Sequence, residues 1–218
     1  DFIEKLHSLS QKIDGSDINP ASEACLSAKD IIDQIVNRLS TLKTASKNFP
    51  ELSIFLEQTF EPLWIEVKDE SYHLWPAESR DSSLPMEKQT LSPSDFGFHN
   101  SILKCDGKLC FLDLEYFGFD DPVKLITDFI WHPAMSLSTD QKKFWVEESI
   151  NIFGKTEKIQ DRILAAWPVI GLRWSLILLN EFLKEGWEKR VHANKDIIEF
   201  RDEKLKKQLA KSKSICEF

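Results

Sequence analysis

The sequence is short of cysteine, of glycine and of any long uninterrupted apolar run, and each shortage closes off a class of protein. Four cysteines (Cys25, Cys105, Cys110 and Cys216) in 218 residues, with no Cys-x-x-Cys pair, are too sparse for a disulfide scaffold. Reduced thiols in a cytoplasmic setting are the expectation, and the lack of any Asn-x-Ser/Thr acceptor agrees with it. The seven glycines form neither a Gly-x-Gly-x-x-Gly loop nor a Walker motif. The longest strictly apolar run, Leu164 to Leu172, is nine residues and contains Pro168 and Gly171. A membrane span needs roughly 18 to 20 residues, so no membrane partner is expected. The opening Asp-Phe-Ile-Glu-Lys shows no basic stretch followed by an apolar one, so no secretory address is read there. Cations are in deficit: 28 Lys and Arg against 36 Asp and Glu give a net charge of −8. That balance argues against nucleic acid, whose phosphates require a cationic footprint. His7, His73, His132 and His192 have no partner at metal-ligand spacing, so a zinc site is not expected.

What is present is apolar mass, 42% of residues, arranged largely with helical period. Ile31, Ile32, Ile35, Val36, Leu39 and Leu42 form one stripe and predict a helix over about 22–46. Pro50 suits a first helical turn, and Leu52, Phe55, Leu56, Phe60 and Leu63 continue the period, with a kink expected at Pro62. A shorter helix is expected over 2–9 and a surface loop over 71–90. Ser138 and Gln141 form a capping box before another helix, 165–183 reads as the most buried helix, and 196–213 as a charged one.

The texture changes at 101. Asp106-Gly107 between two apolar runs is a strong hairpin signal, and strands are expected at 101–105 and 108–114. With Asp106-Gly107 as a two-residue turn, Cys105 faces Lys108 and Cys110 faces Leu103, which disfavours a Cys105–Cys110 disulfide. Two strands scarcely stabilise themselves in water, so a hairpin inside a helical body is expected to position something. Asp95 stands before it, Asn100 five positions on, and Asp113 thirteen positions after that. Three oxygen-bearing side chains at one end of a ribbon suit Mg²⁺, a hard cation that accepts a carboxylate or two together with substrate phosphates. One Asp would take the proton of an attacking hydroxyl while the Asn and second Asp hold metal.

The run Asp95-x-x-x-x-Asn100, a hairpin and then Asp113 resembles the catalytic loop and metal-binding Asp of the protein-kinase-like fold. Leu112-Asp113-Leu114-Glu115-Tyr116-Phe117-Gly118, with Asp120-Asp121-Pro122 and Asp128, is most similar to the aminoglycoside phosphotransferase and choline kinase superfamily. The resemblance covers about 92–128. It implies Asp95 as catalytic base, Asn100 and Asp113 as Mg²⁺ ligands, Asp128 as a buried acid bracing the catalytic loop, and Ile102 and Leu112 beneath the base of ATP. It implies a mainly α fold with a small β-hairpin, the C-terminal lobe of a kinase-like protein. Within that lobe, 1–90 would be helices and a surface loop, 91–128 the catalytic segment, and 129–218 the substrate-side helices. The implied activity is ATP- and Mg²⁺-dependent transfer to a hydroxyl of a small molecule such as an aminoglycoside, amino alcohol or sugar.

Two departures accompany the resemblance. Pro93 stands where the family usually carries His, and no glycine loop or strand-borne Lys precedes Asp95, so the expectation is a fragment whose nucleotide-binding lobe lies elsewhere. A catalytically silent kinase-like binding module is the alternative, and a helical hydrolase using Asp95 and Asp113 as an acid–base pair is a third. His99 receives no role. Glu181 and Glu185 read as a solvated helix face, and the tryptophans read as core.

Overall fold

The computed structural model describes residues 1–13, 18–154, 158–193 and 195–217. The described residues are mostly helical, with two small antiparallel sheets. It divides into two compact units: residues 1–30 with 71–167, and residues 31–70 with 168–218.

The first unit opens with α1 (Phe2–Ser10). Helix α2 (Ala28–Ser46) starts about six residues later than the expected 22–46. The reason is local: Ser27 Oγ accepts the Asp30 N–H at 3.1 Å, and Asp30 Oδ2 accepts the Leu26 N–H at 2.9 Å. This reciprocal cap fixes the first turn after Ser27. The expected loop over 71–90 is shorter than anticipated, because α4 (Glu61–Leu74) runs into it and a strand, β1 (Thr90–Ser92), ends it.

That strand is one of two not anticipated from sequence. β1 pairs antiparallel with β4 (Gly118–Asp120), Leu91 opposite Phe119. Inside this pair lies the hairpin of β2 (Ser101–Leu103) and β3 (Leu109–Phe111). Its register corrects the expected one by a residue: Ile102 faces Cys110 and Leu103 faces Leu109. The turn has three residues, 105–107, closed by the Lys104 N–H on the Lys108 carbonyl at 2.8 Å, with Gly107 at φ +80°. Cys105 and Cys110 are both free thiols. Residues 19–22 run along β4, where the Ala21 N–H meets the Phe119 carbonyl at 2.8 Å. A methyl group on Gly118 would stand 2.4 Å from the Asn19 carbonyl oxygen, so this close approach requires glycine.

Three helices complete the first unit's share of the chain. Helix α5 (Pro122–Trp131) follows β4 directly, capped by Asp121, whose Oδ1 accepts the Val123 N–H at 2.8 Å. Helix α6 (Thr139–Phe153) carries the expected Ser138/Gln141 capping box. Helix α7 (Ile159–Leu178) contains Pro168, and two carbonyls near it accept side-chain donors: Ser71 Oγ donates to Ala165 and Trp131 Nε1 to Trp167. The stretch Ile159–Phe182 is, by length and composition, apolar enough to cross a membrane although its longest strictly apolar run is nine residues; 67% of its apolar window is buried in the fold.

In the second unit, α3 (Pro50–Phe55) begins with Pro50 at its first turn, and a single π turn over Leu56–Phe60 joins it to α4. Pro62 has no N–H to give the preceding turn, which accounts for this disturbance at the expected kink. Ile31, Ile35, Leu42, Leu52, Leu56, Phe60, Leu172 and Leu176 form its core. After α8 (Lys184–Ala193) comes α9 (Arg201–Ile215), whose Leu205 and Leu209 are also buried. Glu181 is buried, not solvated, and accepts from Arg190 Nε at 3.0 Å and Gln208 Nε2 at 2.8 Å. Trp64 and Trp75 are core residues, whereas Trp131, Trp145, Trp167, Trp174 and Trp187 are half-buried.

Candidate functional site

The two sheets are nested, and the nesting brings separate parts of the chain together. β1 leads into residues 93–100 and β2 leaves them; β3 leads into 112–117 and β4 leaves them. Because β1 pairs with β4 and β2 with β3, both segments are tied down at each end and run side by side. The Leu112 N–H on the Asn100 carbonyl, at 2.8 Å, extends the hairpin ladder to the point where they meet.

Asp95 is set by its neighbour. Phe96 is buried among Phe2, Phe111 and Phe129, with ring centroids at 5.6, 4.8 and 5.3 Å, and anchors the loop in the core. Asp95 is thereby held beside the core with its side chain 40% exposed. Asn100 Nδ2 donates to the Asp95 carbonyl at 3.0 Å, which leaves its Oδ1 as a hard oxygen donor. Asp113 is exposed and adopts a left-handed backbone, φ 57°. Ser94 does the same at φ 65°. Left-handed backbone is uncommon for residues other than glycine and recurs at functional sites.

Asp95 and Asp113 both act on one nearby group. Tyr116 is raised above the usual phenol value, first by its hydrogen bond to Glu115 and further by the charges of Asp113 and Asp95. Ile102 and Leu112 are exposed, and the register places both on one face of the hairpin, opposite the face whose Phe111 meets Phe2 and Phe96. The nested strands thus gather Asp95, Asn100, Asp113, Ile102 and Leu112 into one segment.

Asp128 belongs to a different cluster. It is buried on α5, with Oδ2 at 2.9 Å from Lys124 Nζ, and the same ammonium lies 3.0 Å from Asp120 Oδ2. Asp120 Oδ1 accepts the Cys25 and Asp121 N–H groups at 3.0 and 2.8 Å. Burial raises the Asp120 carboxyl above the usual range, against the pull of Lys124. Asp121 contacts Arg162, whose guanidinium lies over the Trp75 ring at 5.6 Å. Burial pushes Asp121 up to about 6. Asp120 and Asp121 are structural, each tied to a cation and to backbone donors.

Sequence reasoning missed two histidines. His99 Nε2 lies 3.0 Å from Asp95 Oδ1, and His132 Nε2 lies 3.6 Å from the same atom. The two rings are stacked, centroids 4.0 Å apart and 5° from parallel. His132 is 33 positions beyond His99, so no spacing rule joins them; only the return of α5 onto the loop does. Asp95, His99 and His132 form a group of donor atoms within 4.8 Å of one another. A ring nitrogen aims its lone pair in the plane of its ring, and two parallel stacked planes do not meet at an ion about 2.0–2.1 Å from each nitrogen. The Ala134 N–H also donates to His132 Nδ1 at 3.2 Å, placing the neutral ring's proton on Nε2. The arrangement is a hydrogen-bonded one, not a metal centre. Asp113 stands outside it.

The second unit holds an apolar cleft of about 350 Å³ lined by Phe49, Leu52, Phe182, Leu205 and Leu209, with Asp202 and Lys206 at its side. No family model matches the chain, and no curated protein or solved structure matches it significantly.

Proposed function

We propose that this chain carries the catalytic segment of an ATP- and Mg²⁺-dependent phosphotransferase, a kinase-like C-terminal lobe that acts on a hydroxyl of a small molecule. The observation that carries the reading is the nesting of β2–β3 inside β1–β4, which sets the loop of Asp95 and Asn100 against the loop of Asp113. Those are the positions that the resemblance to the aminoglycoside phosphotransferases and choline kinases assigns to base and metal ligands.

The donor chemistry fits the ion: an amide oxygen from Asn100 and a carboxylate from Asp113 are hard oxygen ligands, and Asp113 is exposed at the segment's edge. When bound, Mg²⁺ neutralises charge on the transferring phosphoryl group. Asp95 orients the substrate hydroxyl and takes its proton as the oxygen–phosphorus bond forms and the bond to the ADP oxygen breaks. Ile102 and Leu112 offer an apolar face to the nucleotide base. The buried Asp120, Asp121, Lys124 and Arg162 hold the start of α5, and with it Asp128, in place.

The test is phosphotransfer from Mg²⁺-ATP to a panel of amino alcohols and sugars by the full-length protein. Asp95→Asn is expected to lower kcat by about 10²–10⁴-fold with its fold intact by circular dichroism. Unchanged turnover would remove Asp95 from the mechanism.

A further inference from the structure

The imidazoles beside Asp95 have a use that the phosphotransferase reading leaves open. Asp95 Oδ1 is engaged by His99, whereas Oδ2 has no hydrogen-bond partner among the described residues. A carboxylate accepts only, so the shared proton of the 3.0 Å contact sits on His99 Nε2.

The His99 ring is fixed by its surroundings as well as by Asp95. Stacking on His132 covers one face. Gly97 leaves room beneath the ring: a methyl group there would stand 2.7 Å from His99 Nδ1 and 2.6 Å from Met135 Sδ. Met135 in turn accepts the Phe98 N–H at 3.2 Å, closing the loop over that space. His132 Nε2, at 3.6 Å from Asp95, is beyond hydrogen-bond length. Its contribution is the stack.

We propose that His99 is a positioning residue for Asp95, donating Nε2–H to Oδ1 so that Oδ2 takes the hydroxyl proton, and that His132 locks the His99 ring by stacking on it. The proposal rests on the reading of Asp95 as the base. His132 suits the task because it stays uncharged. Burial first, and then the neighbouring His99, bring it down to about 4, with Asp95 and Asp128 pulling the other way. An uncharged His132 adds no competing cation beside Asp95.

Four substitutions separate positioning from mere structure. His99→Phe removes the donor and is expected to lower kcat tenfold or more with KM within about twofold. His99→Gln places an amide N–H near the Nε2 position and is expected to recover most of that loss. His132→Phe keeps a flat ring on the stack and is expected to stay within about threefold of the parent, whereas His132→Ala falls towards His99→Phe. Equal turnover in His99→Phe and the parent, or no difference between His99→Phe and His99→Gln, would overturn the proposal.

A second readout does not depend on activity. Long-range ¹⁵N–¹H spectra are expected to place the neutral His99 proton on Nε2, protected from solvent exchange, with that protection lost in Asp95→Ala. A proton on Nδ1, or unchanged exchange, overturns the hydrogen bond outright. Should Asp95→Asn retain full turnover, the phosphotransferase reading falls, and these spectra alone then decide whether His99 holds the carboxylate.

Discussion

The first unit contains two kinds of acidic residue, and they are treated in opposite ways. Asp120, Asp121 and Asp128 are buried within nine positions of one another, and each faces a cation: Lys124 lies between Asp120 and Asp128, and Arg162 meets Asp121. Asp95 and Asp113 are half-buried and exposed, and neither forms an ion pair with Lys or Arg among the described residues. An unpaired charge is costly only where water is excluded, so the buried acids need their cations to exist at all. The open acids need no such partner, because water reaches them. They hold negative charge and oxygen lone pairs at the surface of a segment whose shape is fixed from behind by Phe96, Phe111 and Phe129.

The largest effect should come from breaking the buried side of this contrast. Lys124→Met leaves two buried carboxylates without their shared ammonium, and is expected to cost about 3–5 kcal/mol in urea unfolding. A cost below about 1 kcal/mol would show that the cluster is hydrated and that the contrast is false. Gly118→Ala drives a methyl group into the backbone of 19–21 and should cost about 1–3 kcal/mol, with exchange of the Phe119 amide accelerating.

The histidine pair supplies a pH-dependent test. His132 is neutral in the fold to about pH 4 but takes a proton near 6.5 when unfolded, so the unfolded chain binds more protons between those values. Stability from this group is present above about 6.5 and is lost as pH falls towards 4. His132→Phe should therefore lose less stability than the parent across that window, measured as the difference between their denaturation midpoints. Identical acid profiles would place His132 in water. The smallest effect is expected on the open side: Asp95→Asn and Asp113→Asn should change stability by no more than about 0.5 kcal/mol. A larger loss from either would make that acid a structural residue.

What the sequence revealed divides along a similar line, between local and distant interactions. Pro50 at a first turn and the Ser138/Gln141 capping box are readable because each is decided within four residues. The hairpin is readable from Asp106-Gly107, but its register is not, since a two-residue and a three-residue turn share that dipeptide. β1 and β4 escaped notice because each is three residues long and each finds its partner across the hairpin, not beside it. The start of α2 is not marked by its apolar stripe, which begins only at Ile31, and is set instead by the Ser27 cap. Glu181 looks like a surface residue by spacing, and only the arrival of Arg190 and Gln208 makes its burial tolerable. For the candidate site, Asp95, Asn100 and Asp113 were legible as a spaced set. His99 and His132 were not, because their meeting depends on where α5 ends.

The nested strands also bear on how this segment assembles. β1 and β4 are separated by 25 residues of chain, and closing the inner hairpin first roughly halves the free length that the outer pair must bring together. Each such halving eases closure by about 0.6 kcal/mol, so the outer pair zips most readily onto a hairpin that already exists. The apposition of the two acidic loops then arrives last, as a by-product of that order, and a slip in the inner register would spoil it without unfolding a single helix.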